Sequence, residues 1–106
     1  MNIQQVIVTG RNQVELQDVE FNASLGPDEF LVDTECTFIS AGTELANYTG
    51  KEPQVFQPGS WCAYPWRSGY ANVGKVTAVG EAVTRVQVGQ RVFTCGAHAS
   101  VIKASQ

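Results

Sequence analysis

Glycines and valines recur at short, regular intervals between Gly74 and Val92. Gly74 lies inside an apolar strand pattern, whereas Gly80 and Gly89 each follow the end of one. Tight turns that join twisted strands often need a positive φ angle, which glycine adopts without steric cost. The spacing therefore predicts short antiparallel strands in a barrel or sandwich rather than a helical domain.

The rest of the chain carries the same β pattern. Ile3–Thr9 and Val14–Phe21 alternate apolar and polar residues, and a tight turn at 10–12 between them predicts a hairpin. The longest strand candidate is Glu29–Ile39. Only 42–50 (GTELANYTG) predicts a helical turn. We expect one mainly β domain with one or two short helical turns.

The long strand and the short helix allow finer predictions. Strict alternation along the strand places one set of side chains on a single face: Phe30, Val32, Thr34, Cys36 and Phe38. In the helix, Thr43 is a candidate N-cap and Gly50 a candidate C-terminal residue. Glu44 is interpreted as a first-turn acid that the helix dipole favours.

Composition excludes several classes of protein. The chain has 106 residues, of which 43% are hydrophobic and 16% charged, as in an ordinary globular domain. It has no apolar run of about 18 residues and no signal-peptide pattern, so we expect a cytoplasmic protein without a membrane partner. The net charge of −3 argues against nucleic acid. The odd number of cysteines and their spacing predict neither disulfides nor a metal knuckle.

The charges are unevenly distributed along the chain. Residues 1–52 carry nine acidic side chains, and residues 53–106 carry five of the seven basic ones. Two interpretations follow: a basic face for a phosphate-bearing ligand, or two halves that interleave so that the charges mix.

The segment 51–70 has no strand or helix period. It holds three of the four prolines together with Trp61, Tyr64 and Trp66. Irregular segments of this length inside a compact domain are either functional or ordered by aromatic packing. The sequence leaves both interpretations open.

Three groups of residues together resemble a known family. They are 26–32 (GPDEFLV), 39–44 (ISAGTE), and a final set comprising Gly74, Val76, Val79, Gly80, Val83, Val88, Gly89 and Val92. In this order and at these separations they resemble the N-terminal, GroES-like catalytic domain of the medium-chain dehydrogenases and reductases. The resemblance implies a partly open β-barrel covering residues 1–106.

The positions that carry zinc chemistry in that family differ in this chain. Zinc-dependent alcohol dehydrogenases have a cysteine after the long strand and a Gly-His-Glu triplet after the irregular loop. Here Ser40 or Ala41 stands at the first place and 68–71 (SGYA) at the second. Hydroxyl, phenol and methyl groups cannot replace thiolate and imidazole as zinc ligands. The resemblance therefore implies a zinc-independent member, and we predict no metal site.

The resemblance also implies roles for individual residues. The corner from Ser40 to Thr43 faces the nicotinamide of NAD(P) in the complete enzyme, so both are candidate catalytic and cofactor-binding residues. Tyr70 stands in place of the zinc-binding histidine and is the third catalytic candidate; with a pKa of about 10, its phenol would act as an acid. The candidate substrate-cleft residues are Tyr48, Trp61, Trp66, Arg67 and His98.

Each candidate has a structural alternative. Ser40 and Thr43 could cap the helix, and the ring of Tyr70 could pack on the barrel. His98 could hydrogen-bond a neighbouring loop, Arg67 could lie on the surface, and the tryptophans could order the irregular segment. These alternatives stay open at the level of sequence.

The resemblance implies an oxidoreductase that acts on a small-molecule substrate with NAD(P). No GxGxxG pattern between a strand and a helix is present, so the cofactor would need a Rossmann domain absent from this chain. We therefore expect the chain alone to be inactive. An unpaired strand edge could also support a homodimer.

A rival interpretation comes from a different class of protein. Co-chaperonins share the glycine–valine strand pair, so the chain could be a stand-alone binding or assembly module. A mobile loop rich in glycine, serine and threonine would support that interpretation, but segment 51–70 is aromatic and proline-rich. A non-catalytic regulator that keeps only the barrel is the third possibility.

Overall fold

The computed structural model describes residues 1–106, which form two antiparallel sheets, one α-helix and one 3-10 turn. The strands are β1 (Asn2–Gly10), β2 (Gln13–Glu20), β3 (Glu29–Thr37), β4 (Trp66–Arg67), β5 (Asn72–Val79), β6 (Arg91–Thr94) and β7 (Val101–Ser105). The helix α1 covers Ala41–Thr49, and the 3-10 turn covers Pro53–Phe56. The predicted mainly β, partly open GroES-like barrel is confirmed.

The two sheets are joined through β1. One sheet has the order β2-β1-β4 and the other has the order β6-β5-β3-β7. The predicted hairpin forms between β1 and β2, with Asn12 at a φ of 56° in its turn. A single bridge from Gln5 to Ala99 connects the first sheet to the segment that precedes β7.

The main core lies between the sheets. Its buried members are Ile3, Phe30, Val32, Val76, Ala99 and Ile102. Because each fully buried aliphatic or aromatic side chain contributes roughly 1.5–3 kcal/mol, this cluster is a principal source of the domain's stability.

Strand β3 does not alternate strictly. Its pairing with β5 shifts register between Thr34 and Cys36, which leaves Glu35 as an extra residue. A bulge of this kind turns the following side chains. Cys36 and Phe38 are consequently exposed. Leu31, which precedes the bulge and lies at a second register shift between Leu31 and Val32, is buried beside Phe30. The predicted apolar face was therefore wrong beyond Thr34.

The glycines of β5 and its flanking turns serve two different purposes. Gly89 has a φ of 93°, as predicted for a turn glycine. At Gly74 a Cβ atom would overlap the carbonyl oxygen of Asp33, and at Gly80 it would overlap that of Gly26. Gly74 and Gly80 are needed because another backbone segment approaches closely, not because φ is positive.

Segment 51–70 is ordered by packing. A second core cluster contains Val8 of β1 together with Val55, Cys62 and Trp66. The Tyr64 ring packs against this cluster, and its hydroxyl donates a hydrogen bond to the Asn47 carbonyl oxygen of α1. The aromatic residues therefore attach the segment to both β1 and the helix.

The acidic and basic halves interleave. Arg91 of β6 donates two hydrogen bonds to Glu35 of β3, at 2.8 and 3.0 Å. This hydrogen-bonded pairing lowers the pKa of Glu35 and raises that of Arg91. No helix in the structure is long and apolar enough to span a bilayer.

Candidate active site

An apolar cleft lies between β1, the helix α1 and the segment around β4. Its volume is about 380 Å³. Its lining residues are Val6, Val8, Val14, Ile39, Ala41, Glu44, Leu45, Tyr48, Trp66, Ser68 and His98. Clefts that bind small molecules typically combine such apolar walls with a few polar groups.

The helix begins at the edge of this cleft. Ser40 is the residue before its first turn, with φ −85° and ψ 107°, but its side chain makes no capping hydrogen bond. Instead the backbone N–H of Ser40 donates to Oε2 of Glu44 at 2.5 Å. The prediction that Thr43 caps the helix was wrong because Thr43 already lies within the first turn. Gly50 ends the helix as predicted, with a φ of 77°.

The polar part of the cleft is a buried pair formed by Glu44 and His98. Their Oε1 and Nε2 atoms are 2.5 Å apart, and each side chain is 9% exposed. On the other side of the ring, Nδ1 lies 2.7 Å from Oγ1 of Thr37. Oε1 and Nε2 share one proton. It is bonded to Nε2 when Glu44 is a carboxylate and to Oε1 when Glu44 is the neutral acid. A buried carboxylate with two hydrogen-bond donors is satisfied without water.

The backbone holds His98 from both sides. Its N–H donates to the Ser68 carbonyl oxygen, and its carbonyl oxygen accepts from Val6 N–H, both at 2.9 Å. Gly69 makes room for the ring, since a Cβ atom there would lie 2.7 Å from the ring carbon Cγ. Ser68 donates its hydroxyl to the carbonyl of Val6 at 3.1 Å. The imidazole therefore has one defined place in the cleft wall.

Some of the predicted site residues meet in this cleft. Tyr48, Trp66 and His98 all line it. Tyr48 donates its hydroxyl to the carbonyl oxygen of Asn12 at 3.2 Å, so its ring closes the cleft towards the hairpin turn. Ser40 lies between two lining residues, Ile39 and Ala41.

The other predicted site residues lie outside the cleft lining. Thr43 is exposed on the first turn of α1, and Arg67 is exposed on β4. Trp61 is 60% exposed and packs edge-on against Trp66 with ring centroids 6.3 Å apart. Tyr70 is also exposed. Roles for these four residues in catalysis or binding stay predictions.

Sequence reasoning missed Glu44 as a member of the site. It was interpreted only as a first-turn acid that the helix dipole favours. It does lie in the first turn, but it is also among the buried residues. The sequence does carry a signal, because Glu44 is the only acid of α1 and His98 is the only histidine. Their 54-residue separation hides the pairing until the topology brings them together.

The cleft does not present a zinc-ligand set. No group of three His, Cys, Asp or Glu side chains is placed where it could hold a metal ion. At the two places where the sequence resemblance implies zinc ligands in other members, Ser40 or Ala41 and Tyr70 offer neither thiolate nor imidazole. Zinc therefore does not fit the residues present.

Residues 26–105 match the family described as the alcohol dehydrogenase GroES-like domain. The chain belongs to this family. The resemblance to the N-terminal GroES-like domain of the medium-chain dehydrogenases and reductases is thus confirmed. A comparison with curated protein sequences found no significant match.

Solved structures share the fold of this GroES-like domain. The alcohol dehydrogenase TADH from Thermus sp. ATN1 is 30% identical with a TM-score of 0.65, covering 85% of this chain and 23% of that one. A quinone oxidoreductase from Pseudomonas syringae pv. Tomato DC3000 is 25% identical with a TM-score of 0.69, covering 99% and 31%. A protein from Sinorhizobium meliloti 1021, named as a zinc-binding dehydrogenase and solved with NADP, is 18% identical with a TM-score of 0.70, covering 99% and 36%. The GroES-like domain spans at most about a third of these chains.

Proposed function

We propose that this GroES-like domain is the substrate-side half of a zinc-independent, NAD(P)-dependent oxidoreductase of the cytoplasm. The observation that carries the proposal is an apolar cleft whose polar part is the buried pair of Glu44 and His98. Such a cleft suits a small molecule with an apolar body and one polar atom directed at that pair.

The family and its neighbours support redox chemistry. Two of the structural neighbours are named as an alcohol dehydrogenase and a quinone oxidoreductase, and a third was solved with NADP. When bound, the nicotinamide would supply or accept a hydride. Ser40 and Thr43 are the residues of this chain that we propose would face it, and the dinucleotide itself would bind a separate Rossmann domain.

The donor set of the cleft supports the proposal of zinc independence. Without a metal, a substrate carbonyl needs hydrogen-bond donors or a positioned acid to stabilise the developing oxyanion. The cleft supplies the buried pair of Glu44 and His98 for this purpose. In apolar surroundings these groups interact with charge more strongly than they would in water.

Ordering of segment 51–70 favours this proposal over a co-chaperonin-type module. The segment contributes Val55, Cys62 and Trp66 to a core cluster, and Trp66 also lines the cleft. A loop fixed in this way forms a wall of the cleft and is not free to reach a partner complex.

The deciding experiment uses the complete reading frame that encodes this chain. Its product should oxidise NADPH or NADH in the presence of small ketones, enones or quinones, without added zinc and in the presence of a chelator. Leu45→Lys, which places a charge in the cleft wall, should lower kcat/KM by about tenfold or more. Val88→Lys is the matched control because Val88 is an equally exposed apolar residue outside the cleft. Equal loss in both variants, or activity that requires zinc, would refute the proposal.

A further inference from the structure

A hydrogen-bonded chain crosses the wall of the domain between two cavities. The first cavity is the cleft, and the second is a pocket of about 250 Å³ on the other side of His98. Glu44 lines only the cleft, Thr37 lines only the second pocket, and His98 lines both. The imidazole, together with Val6, which also lines both, therefore lies between the two cavities.

The distances along this chain are those of continuous hydrogen bonding. Thr37 Oγ1 lies 2.7 Å from Nδ1 of His98, and Nε2 lies 2.5 Å from Oε1 of Glu44. Each of these groups can both take up and give a proton, as a relay requires. The ring cannot drift from this line because its backbone is bonded to β1 and to Ser68.

We propose that Thr37, His98 and Glu44 form a proton path from solvent in the second pocket to the substrate in the cleft. This inference rests on the proposed function, because a hydride transferred from a reduced nicotinamide to a carbonyl or conjugated alkene leaves an oxyanion. That oxyanion must gain one proton before product leaves, and the apolar cleft offers few other sources.

The proton transfers balance in sequence. Thr37 gives its hydroxyl proton to Nδ1 of His98 and takes one from water, which makes the ring an imidazolium. The Nε2 proton passes to Oε1 of Glu44, and Glu44 gives it to the substrate oxyanion, forming the O–H bond of the product. The ring is then neutral with its proton on Nδ1. After product leaves, water takes that proton through Thr37 and water in the emptied cleft gives one to Nε2 through Glu44, which restores the starting tautomer. Both electrons come from the reduced nicotinamide, and the proton comes from water.

The surroundings of His98 contain few competing groups. Glu44 is the titratable residue of α1 that contacts the ring, and Cys36 of β3 lines the second pocket. Strand β1 presents Val6 and the segment around β4 presents Ser68, neither of which carries a charge. A proton that enters His98 from the pocket is therefore directed to Glu44.

The test measures proton exchange in the chain itself, without cofactor or substrate. His98 is the only histidine, so its ring N–H resonance is unambiguous in nitrogen-15 NMR spectra. Thr37→Val removes the hydroxyl at nearly constant shape and should slow exchange of the Nε2 proton with water by about a hundredfold, the scale of a positioned proton-transfer group. Thr37→Ser keeps the hydroxyl and should exchange like the wild type.

An exchange rate in Thr37→Val equal to that of the wild type would overturn the path, and Thr37→Ala provides the same measurement if the valine variant misfolds. In the complete protein, Thr37→Val should lower kcat and raise the solvent deuterium isotope effect while leaving KM for the substrate unchanged. A complete protein without NAD(P)H-dependent activity would refute the proposed function, yet the exchange measurement on the isolated chain would still decide the proton path.

Discussion

Gly69 and His98 approach so closely that a side chain on the glycine would collide with the histidine. A Cβ atom on Gly69 would lie 2.5 Å from the backbone nitrogen of His98 and 2.8 Å from the ring carbon Cδ2. Gly69 also has a φ of 99°, which L side chains rarely adopt. The position of the only histidine thus depends on a residue that has no side chain.

Gly69→Ala should destabilise the domain and displace the His98 ring. We expect a loss of about 3 kcal/mol or more in the free energy of unfolding, because an unfavourable φ and a steric overlap act together. Gly59→Ala is the matched control, since Gly59 has a φ of 85° but nothing within contact distance of its Cβ position. Urea unfolding of both variants separates the two effects; equal losses would show that His98 does not restrict this site.

Tyr64→Phe should weaken the link between segment 51–70 and α1. The phenol donates to the carbonyl oxygen of Asn47, and losing one such bond costs about 1 kcal/mol. Tyr48→Phe, which removes a hydrogen bond to Asn12 at the exposed turn, is the control and should cost less. Thermal or urea unfolding measures both, and a larger loss in the control would contradict the importance of the Tyr64 link.

Tyr64 should also make the free energy of unfolding depend on pH in the alkaline range. Burial raises the pKa of its phenol above the usual 10.0, so the native state holds this proton more tightly than the unfolded state. The contribution of Tyr64 is complete below pH 10.0 and is lost as the pH rises through the higher native pKa. In Tyr64→Phe this part of the alkaline loss should disappear; an unchanged alkaline unfolding curve would contradict the assignment.

Arg91→Gln should raise the pKa of Glu35. The hydrogen bonds from Arg91 hold that pKa below its ordinary 4.5, so the pairing stabilises the native state above this pH and the contribution is lost as the pH falls through the lowered value. Carbon-13 NMR of the Glu35 carboxyl carbon measures the change. Arg85→Gln is the control: it removes a positive charge that forms no ion pair, so it should leave the pKa of Glu35 unchanged. An unchanged pKa of Glu35 in Arg91→Gln would refute the pairing.

NADPH and NADH should not bind tightly to this chain alone. The chain contains no dinucleotide-binding fingerprint, and we propose that Ser40 and Thr43 face only the nicotinamide end of the cofactor. Isothermal titration should show no binding in the micromolar range or below. A submicromolar Kd would overturn the division of roles between this domain and a Rossmann domain.

Oligomeric state is the remaining prediction about partners. The outer edges of the four-stranded sheet are β6 and β7, and each leaves backbone groups available for pairing. Pairing of one edge with a second copy would give a homodimer. Sedimentation at high concentration should detect it, whereas a strictly monomeric profile would refute this prediction.

The sequence predicted the fold well because turn and strand signals are local. The hairpin, the strand over 72–79 and the helix ending at Gly50 follow from residues that lie close together in the chain. The bulge at Glu35 was missed because it depends on pairing with β5, which the sequence of β3 does not report. The sequence pattern of one strand also cannot show which other strand pairs with it.

The site was harder to predict for the same reason. Tyr48, Trp66 and His98 were identified as cleft residues, but Glu44 was interpreted only as a first-turn acid of the helix. Its burial comes from a histidine 54 residues away, so helical position alone was misleading. Resemblance to a family indicated where to look, and only the tertiary contacts showed which side chains meet.

Segment 51–70 connects parts of the molecule that are remote from one another in sequence. Trp66 belongs at once to the second core cluster and to the cleft wall, and Tyr64 holds the C-terminal half of the helix that forms the opposite wall. A substitution at Val55 or Cys62, neither of which touches the cleft, would therefore alter its width. Evolution could therefore change which molecules the cleft accepts by substituting buried residues that support its wall, while every residue that contacts the substrate stays the same.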